Sequence, residues 1–250
     1  MKIHEFGERG RGSIVLIHGA FMSWEIFRPA TDILSRRYRI YAVALPGHDT
    51  TLQEDFTTIE GIAARIELTL VRYGLVSADV LYGVSVGGGI ALRMLADGKI
   101  PVGRGIIDGG ITPRDGGFSL SRMLFTPDWL AGERGRNGRA ALDGAFPPER
   151  YDPAAIDRIY GVVRNMSDNT VRQISAESDS YSLPGRFPET GTEVEYWYGE
   201  AEEAKRRRDI EYVAAHIPSV TFRKIGGMAH AQYAISCPEQ LAADIERRMR

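Results

Sequence analysis

Apolar residues fall along this chain in two rhythms. In the first they fill consecutive positions of short runs: Ser13-Ile14-Val15-Leu16-Ile17, Arg39 to Leu45, Asp79 to Tyr82, and Gly105-Ile106-Ile107. Runs that are apolar on both faces suit parallel strands covered by helices on each side. In the second rhythm apolar residues recur every three or four positions, as at Ile59, Ile62, Ala63, Ile66 and Leu70. That spacing predicts a helix, with Thr57 or Thr58 placed to cap its start. The alternation of the two rhythms predicts an α/β fold with a mainly parallel, doubly wound sheet.

The alternation breaks after Asp108-Gly109-Gly110. From about 112 to 190 no strong strand pattern occurs, only Pro and Gly punctuation, aromatics, and helical patches such as Ala154 to Val163. Strand patterns return at Glu193 to Tyr198 and at Val220 to Ile225, and a helix is expected from about Glu239 to Met249. Such an interval is too long for a plain loop. Residues 1–111 and 191–250 are therefore expected to form one core, with 112–190 inserted as a helical cap over the carboxyl edge of the sheet.

Composition narrows the setting. The 250 residues are 43% hydrophobic and 26% charged, with a net charge of −2. No partnership with nucleic acid or an anionic membrane is expected at that balance. A single cysteine, Cys237, excludes an intrachain disulfide and fits a reducing compartment. Met1-Lys2-Ile3-His4-Glu5-Phe6 lacks the apolar segment of a signal peptide, and no run is apolar enough to span a bilayer. The expectation is a cytoplasmic protein, monomer or homodimer, acting on a small molecule. The basic run Lys205-Arg206-Arg207-Arg208 reads as a solvated helix face.

The most chemically specific stretch is Gly83-Val84-Ser85-Val86-Gly87, led in by Val80-Leu81-Tyr82 and followed by Gly88-Gly89-Ile90-Ala91-Leu92. This is the G-x-S-x-G pattern of a strand turning sharply into a helix and presenting a serine hydroxyl. Glycines two residues either side remove side chains that would collide in so tight a turn. Four further stretches accompany it: His18-Gly19-Ala20, Leu45-Pro46-Gly47-His48, Tyr198-Gly199-Glu200-Ala201-Glu202, and Ala229-His230. Together, and in this order, they make the chain resemble the cap-bearing branch of the α/β-hydrolase superfamily. The resemblance covers nearly the whole chain outside residues 112–190.

That resemblance implies a sheet with one antiparallel edge and a Ser-acid-His order along the chain. Ser85 is then the nucleophile. Of the five histidines only His216 and His230 follow it. His216 sits at the expected end of a helix, whereas His230 lies on a loop beyond the last strand, so His230 is the expected base. The acid is expected just past Tyr198, at Glu202 first, with Glu200 and Asp108 as alternatives. Most relatives carry aspartate near this place, so glutamate is a departure. Glu202 with Arg206, and Glu203 with Arg207, are also spaced for helix-face salt bridges. Oxyanion donors are expected at the N–H groups of Val86 and Ala20, with Phe21 as alternative. Phe21, Met22, Trp24, Phe125, Trp129 and Met228 are candidates for an apolar acyl pocket. His18 and His48 read as loop braces. No metal or other cofactor is expected, since the H-E-x-x-H pattern is absent.

The implied activity is cleavage of a carboxylic ester with a small to medium, apolar acyl group, through an acyl-enzyme. Hydrolysis of a carbon–carbon bond in a diketone-like substrate on the same triad is an alternative. A ligand-binding or signalling module with slow catalysis is another.

Overall fold

The computed structural model describes residues 1–8, 12–49, 51–52, 54–113, 138–185, 187–217 and 219–249. These form a sheet of seven strands: β1 (Lys2–Phe6), β2 (Ser13–Ile17), β3 (Arg39–Ala44), β4 (Ala78–Val84), β5 (Val102–Asp108), β6 (Glu193–Gly199) and β7 (Thr221–Ile225). Their spatial order is β1-β3-β2-β4-β5-β6-β7. Only β1 runs antiparallel to its neighbour, β3; every other pairing is parallel. The central strands carry the apolar runs because both of their faces are covered. All five residues of β2 are buried. Edge strand β7 is mostly exposed.

Helices α1 (Arg28–Leu34), α2 (Ile59–Arg72) and α3 (Val86–Asp97) connect β2 through β5 in turn. Thr58, rather than Thr57, caps α2: its hydroxyl accepts the Gly61 N–H at 3.0 Å. Ile59, Ile62, Ala63, Ile66 and Leu70 form the buried face of that helix. Helix α3 ends at Gly98 in the left-handed conformation, which suits a residue without Cβ.

Between β5 and β6 lie α4 (Gly138–Ala145), α5 (Pro153–Asn165) and α6 (Asp168–Ser180). Helix thus extends well beyond the patch legible at Ala154 to Val163. Asp152 and Ser167 cap α5 and α6 through their side chains. The start of α6 is pinned to the chain leading into α2. Asp55 accepts hydrogen bonds from Ser167, Asn169 (2.8 Å) and Thr170 (3.0 Å), and Ile59 N–H donates to Glu177 at 2.9 Å. Helix α7 (Glu203–His216) follows β6, and α8 (Gln232–Ser236) and α9 (Pro238–Arg248) close the chain. No helix among the described residues is long and apolar enough to cross a membrane.

Candidate active site

The parallel strands all point their carboxyl ends to one edge, and the predicted chemistry collects there. Strand β4 ends at Val84 and α3 begins at Val86, so Ser85 alone makes the turn. Its φ of 56° and ψ of −120° lie in a region an L-residue occupies only under strain. The turn is fixed on both sides: Ser85 N–H donates to the Asp108 carbonyl at 2.9 Å, and the Ser85 carbonyl accepts from Gly89 (3.1 Å) and Ile111 (3.3 Å). A Cβ on Gly83 would run into the Gly87 carbonyl, and one on Gly87 into the carbonyls of Ile17 and His18. Both glycines are therefore required by close backbone approach. Among the described residues the non-glycine positive-φ positions are Phe21, Ser85 and Ala231. One is the elbow, one adjoins His230, and one lies in the turn after β2, whose Gly19 faces Ser85.

His230 stands on the loop between β7 and α8. Its Nε2 lies 3.0 Å from Ser85 Oγ, and its Nδ1 lies 2.6 Å from Glu202 Oε2. Glu202 closes the 3-10 turn Glu200–Glu202 after β6 and is buried, whereas the imidazole is about one-third exposed. Nδ1–H donation to the carboxylate leaves the Nε2 lone pair facing the serine hydroxyl. Burial opposes the charge on Glu202. The His230 imidazole, then Arg206, then the Gly199 N–H at 3.1 Å outweigh it and hold the carboxyl below its ordinary range.

Arg206 is buried behind the acid. Its Nε lies 3.4 Å from Glu202 Oε2, and its Nη1 lies 3.1 Å from Asp209 Oδ2 and donates to the Gly109 carbonyl at 3.3 Å. The pairing of Glu202 with Arg206 at salt-bridge spacing therefore exists, but it is buried and shared with His230 rather than displayed on a solvated face. Glu203 pairs with Lys224 at 3.2 Å instead of with Arg207, because β7 brings that lysine across the start of α7.

The other two candidate acids are engaged elsewhere. Glu200 accepts the Gly227 N–H at 2.8 Å. Asp108, at the end of β5, accepts the Tyr82 hydroxyl at 2.5 Å. Burial, and then the neighbouring Glu202 charge, raise the Asp108 pKa to about 7, against the bond from Tyr82. A carboxyl half protonated near neutrality is a poor partner for an imidazolium. His216 bonds the Tyr212 carbonyl at 2.8 Å within α7 and stacks on its ring at 4.0 Å, which keeps it in the helix end.

The turn after β2 sits against the elbow: a Cβ on Gly19 would lie 3.1 Å from that of Ser85. His18 braces this turn. Its Nε2 accepts the Leu45 N–H at 3.2 Å, so Nδ1 donates to the Gly19 carbonyl at 2.8 Å. Burial, then His48, push the His18 pKa well down, and burial takes His48 to about 4, so both rings are neutral. Phe21 and Met22 are buried in the core, and Met228 packs against it partly exposed. Trp24 stacks on His4 with ring centroids 4.1 Å apart and lies against Phe6, on β1. Phe125 and Trp129 lie outside the described residues.

Two neighbours of the site had no motif to announce them. Gly109 has φ of 54°, and a Cβ there would stand 3.1 Å from both Glu202 Oε1 and His230 Nδ1. The double glycine closing β5 was the available signal. Tyr151 donates its hydroxyl to the His230 carbonyl at 2.9 Å, a contact no local pattern foretells. No group of three or more His, Cys, Asp or Glu among the described residues could hold a metal ion.

The model of the alpha/beta hydrolase family matches residues 14–243 of the chain. No curated protein matches it. Among solved structures, an alpha/beta hydrolase family protein from Desulfitobacterium hafniense is similar at 19% identity, covering 100% of both chains with a TM-score of 0.80. An esterase from Rhodococcus sp. ECU1013 is similar at 20% identity, covering 99% of this chain and 93% of that one, with a TM-score of 0.75. A thermophilic esterase from Thermogutta terrifontis is similar at 17% identity, over 98% and 91%, with a TM-score of 0.75.

Proposed function

The chain belongs to the alpha/beta hydrolase family, and from that premise we propose that it is a serine hydrolase of carboxylic esters. One observation carries the reading: an unbroken line from Ser85 Oγ through both nitrogens of His230 to the buried carboxylate of Glu202. Esterases are among its structural neighbours, in keeping with this reading.

In this reading His230 Nε2 takes the proton as Ser85 Oγ attacks the ester carbonyl carbon. The carbonyl oxygen becomes an oxyanion, held by the N–H groups of Val86 and of Ala20 or Phe21. Each such donor contributes about 3 kcal/mol. Val86 opens α3, where the first N–H groups have no intrahelical acceptor. His230 returns the proton to the leaving oxygen, the C–O bond breaks, and the alcohol departs. Water, deprotonated by the same nitrogen, then attacks the acyl carbon; the acyl–Oγ bond breaks, His230 returns the proton to Ser85 Oγ, and the acid leaves. Glu202 holds the tautomer and balances the imidazolium charge.

Residues 112–190 act as the cap, and the acyl group is small to medium and apolar, flanked by Phe21, Met22 and Met228. The single cysteine fits a cytoplasmic setting. The test is a ladder of p-nitrophenyl esters. Turnover is expected on short to medium acyl chains, with Ser85→Ala lowering kcat by about 10⁶. No turnover of any ester with Ser85 intact contradicts ester cleavage.

A further inference from the structure

Four hydrogen bonds cross from residues 150–152 to the loop that carries His230 and to α8 directly after it. Arg150 Nη1 donates to the Gly227 carbonyl (3.1 Å), and Gln232 Nε2 donates to the Arg150 carbonyl (2.5 Å). Tyr151 donates to the His230 carbonyl (2.9 Å), and Asp152 N–H donates to Ser236 Oγ (3.2 Å). Partners are 77 to 84 residues apart in sequence and fall on both sides of His230. The loop itself has little regular structure: β7 stops at Ile225, Ala231 is left-handed, and α8 starts only at Gln232.

Of these bonds, the one from Tyr151 acts on the histidine residue directly. Its ring is buried and meets Phe146 edge to face at 5.1 Å, so the hydroxyl is aimed before any substrate binds. Burial, then the Glu202 charge, push its pKa up, which keeps the phenol a donor.

We propose that Tyr151 is a positioning residue: by holding the His230 carbonyl from the segment between β5 and β6, it sets the imidazole between Ser85 and Glu202. This rests on reading those three residues as the triad. An imidazole bonded at both nitrogens tolerates little displacement, and a misplacement of about 1 Å costs about a hundredfold in rate.

The test uses the full chain with Tyr151→Phe, which keeps the ring and its contact with Phe146. Saturating fluorophosphonate label on Ser85 counts competent molecules, and kcat and KM for p-nitrophenyl acetate are expressed per competent molecule. The expected result is that kcat and the labelling rate each fall about tenfold while KM stays within about twofold. A role in folding alone predicts fewer competent molecules, each with normal kcat, and that result overturns the proposal. Phe146→Leu separates hydroxyl from ring packing: it is expected to lower Tm and keep kcat per competent molecule. An equal loss of kcat in Phe146→Leu also overturns the proposal. Absence of label on Ser85 in the unaltered protein overturns the triad itself, and the Tyr151 proposal with it.

Discussion

Gly109→Ala probes the site without touching a reacting group. The residue sits at φ of 54°, and its added methyl would stand 3.1 Å from Glu202 Oε1 and 3.1 Å from His230 Nδ1. Left-handed backbone costs an alanine about 1–2 kcal/mol. For a domain of this size that is a Tm decrease of roughly 2–8 °C, at about 2–4 °C per kcal/mol. The methyl also needs a few tenths of an ångström that only the carboxylate and the imidazole can yield. They are the two ends of the 2.6 Å contact, and the imidazole also holds the 3.0 Å contact to Ser85. A displacement of that size predicts a kcat loss of about tenfold, below the hundredfold expected for a full 1 Å. Gly226→Ala is the control. It lies at the other end of the histidine loop, without positive φ and with nothing within 4 Å of an added Cβ. The assay is ester turnover beside thermal melting. Gly109→Ala with unchanged kcat refutes the claim that the acid–histidine pair rests on the backbone at residue 109. Equal losses in both variants refute it too.

Glu202→Gln is expected to lower kcat by about 10⁴, the scale on which a triad fails when its acid is neutralised. Glu200→Gln, which keeps an oxygen to accept the Gly227 N–H and loses only the charge, should stay within about threefold in the same ester assay. Asp108→Asn separates the third candidate by stability. With its pKa raised to about 7, Asp108 contributes stability that is present below the ordinary carboxylate pKa and lost as pH rises through about 7. The loss is roughly 4 kcal/mol at most. Urea unfolding at pH 5 and pH 8 should therefore show a flatter pH dependence in Asp108→Asn, and parallel curves would contradict the assignment. Glu202 has the opposite sign. Its lowered pKa gives stability above the ordinary carboxylate range that is lost as pH falls through the folded value. Glu202→Gln should accordingly narrow the gap between neutral and acid stability.

Strands β2 to β6 were legible because burial on both faces leaves a near-continuous apolar run. The edge strand β1 was not. Lys2-Ile3-His4-Glu5-Phe6 is half polar and short, and the resemblance implied one antiparallel edge without placing it at these residues. Ser85 was legible because the elbow needs glycine at 83 and 87, which marks the sequence locally. His230 was legible from its place on the loop past the last strand together with the resemblance. Glu202 and Glu200 were harder to separate. They stand two positions apart on one 3-10 turn, and only the inward rotation of Glu202 distinguishes them. Tyr151 reaches the site across a large sequence separation, so no local pattern carries it; the spacing of Arg206 from Glu202 was legible, but its burial was not. Arg206 in particular reads as a surface residue of a basic run, yet it is buried against two carboxylates.

The central claim is that the Ser85 hydroxyl attacks the ester. The most direct measurement is fluorophosphonate labelling of the whole protein, followed by peptide mass spectrometry. One adduct per chain is expected, on Ser85, abolished by Ser85→Ala and slowed by His230→Ala. An adduct on another residue, or none in a protein that still turns over esters, would contradict it.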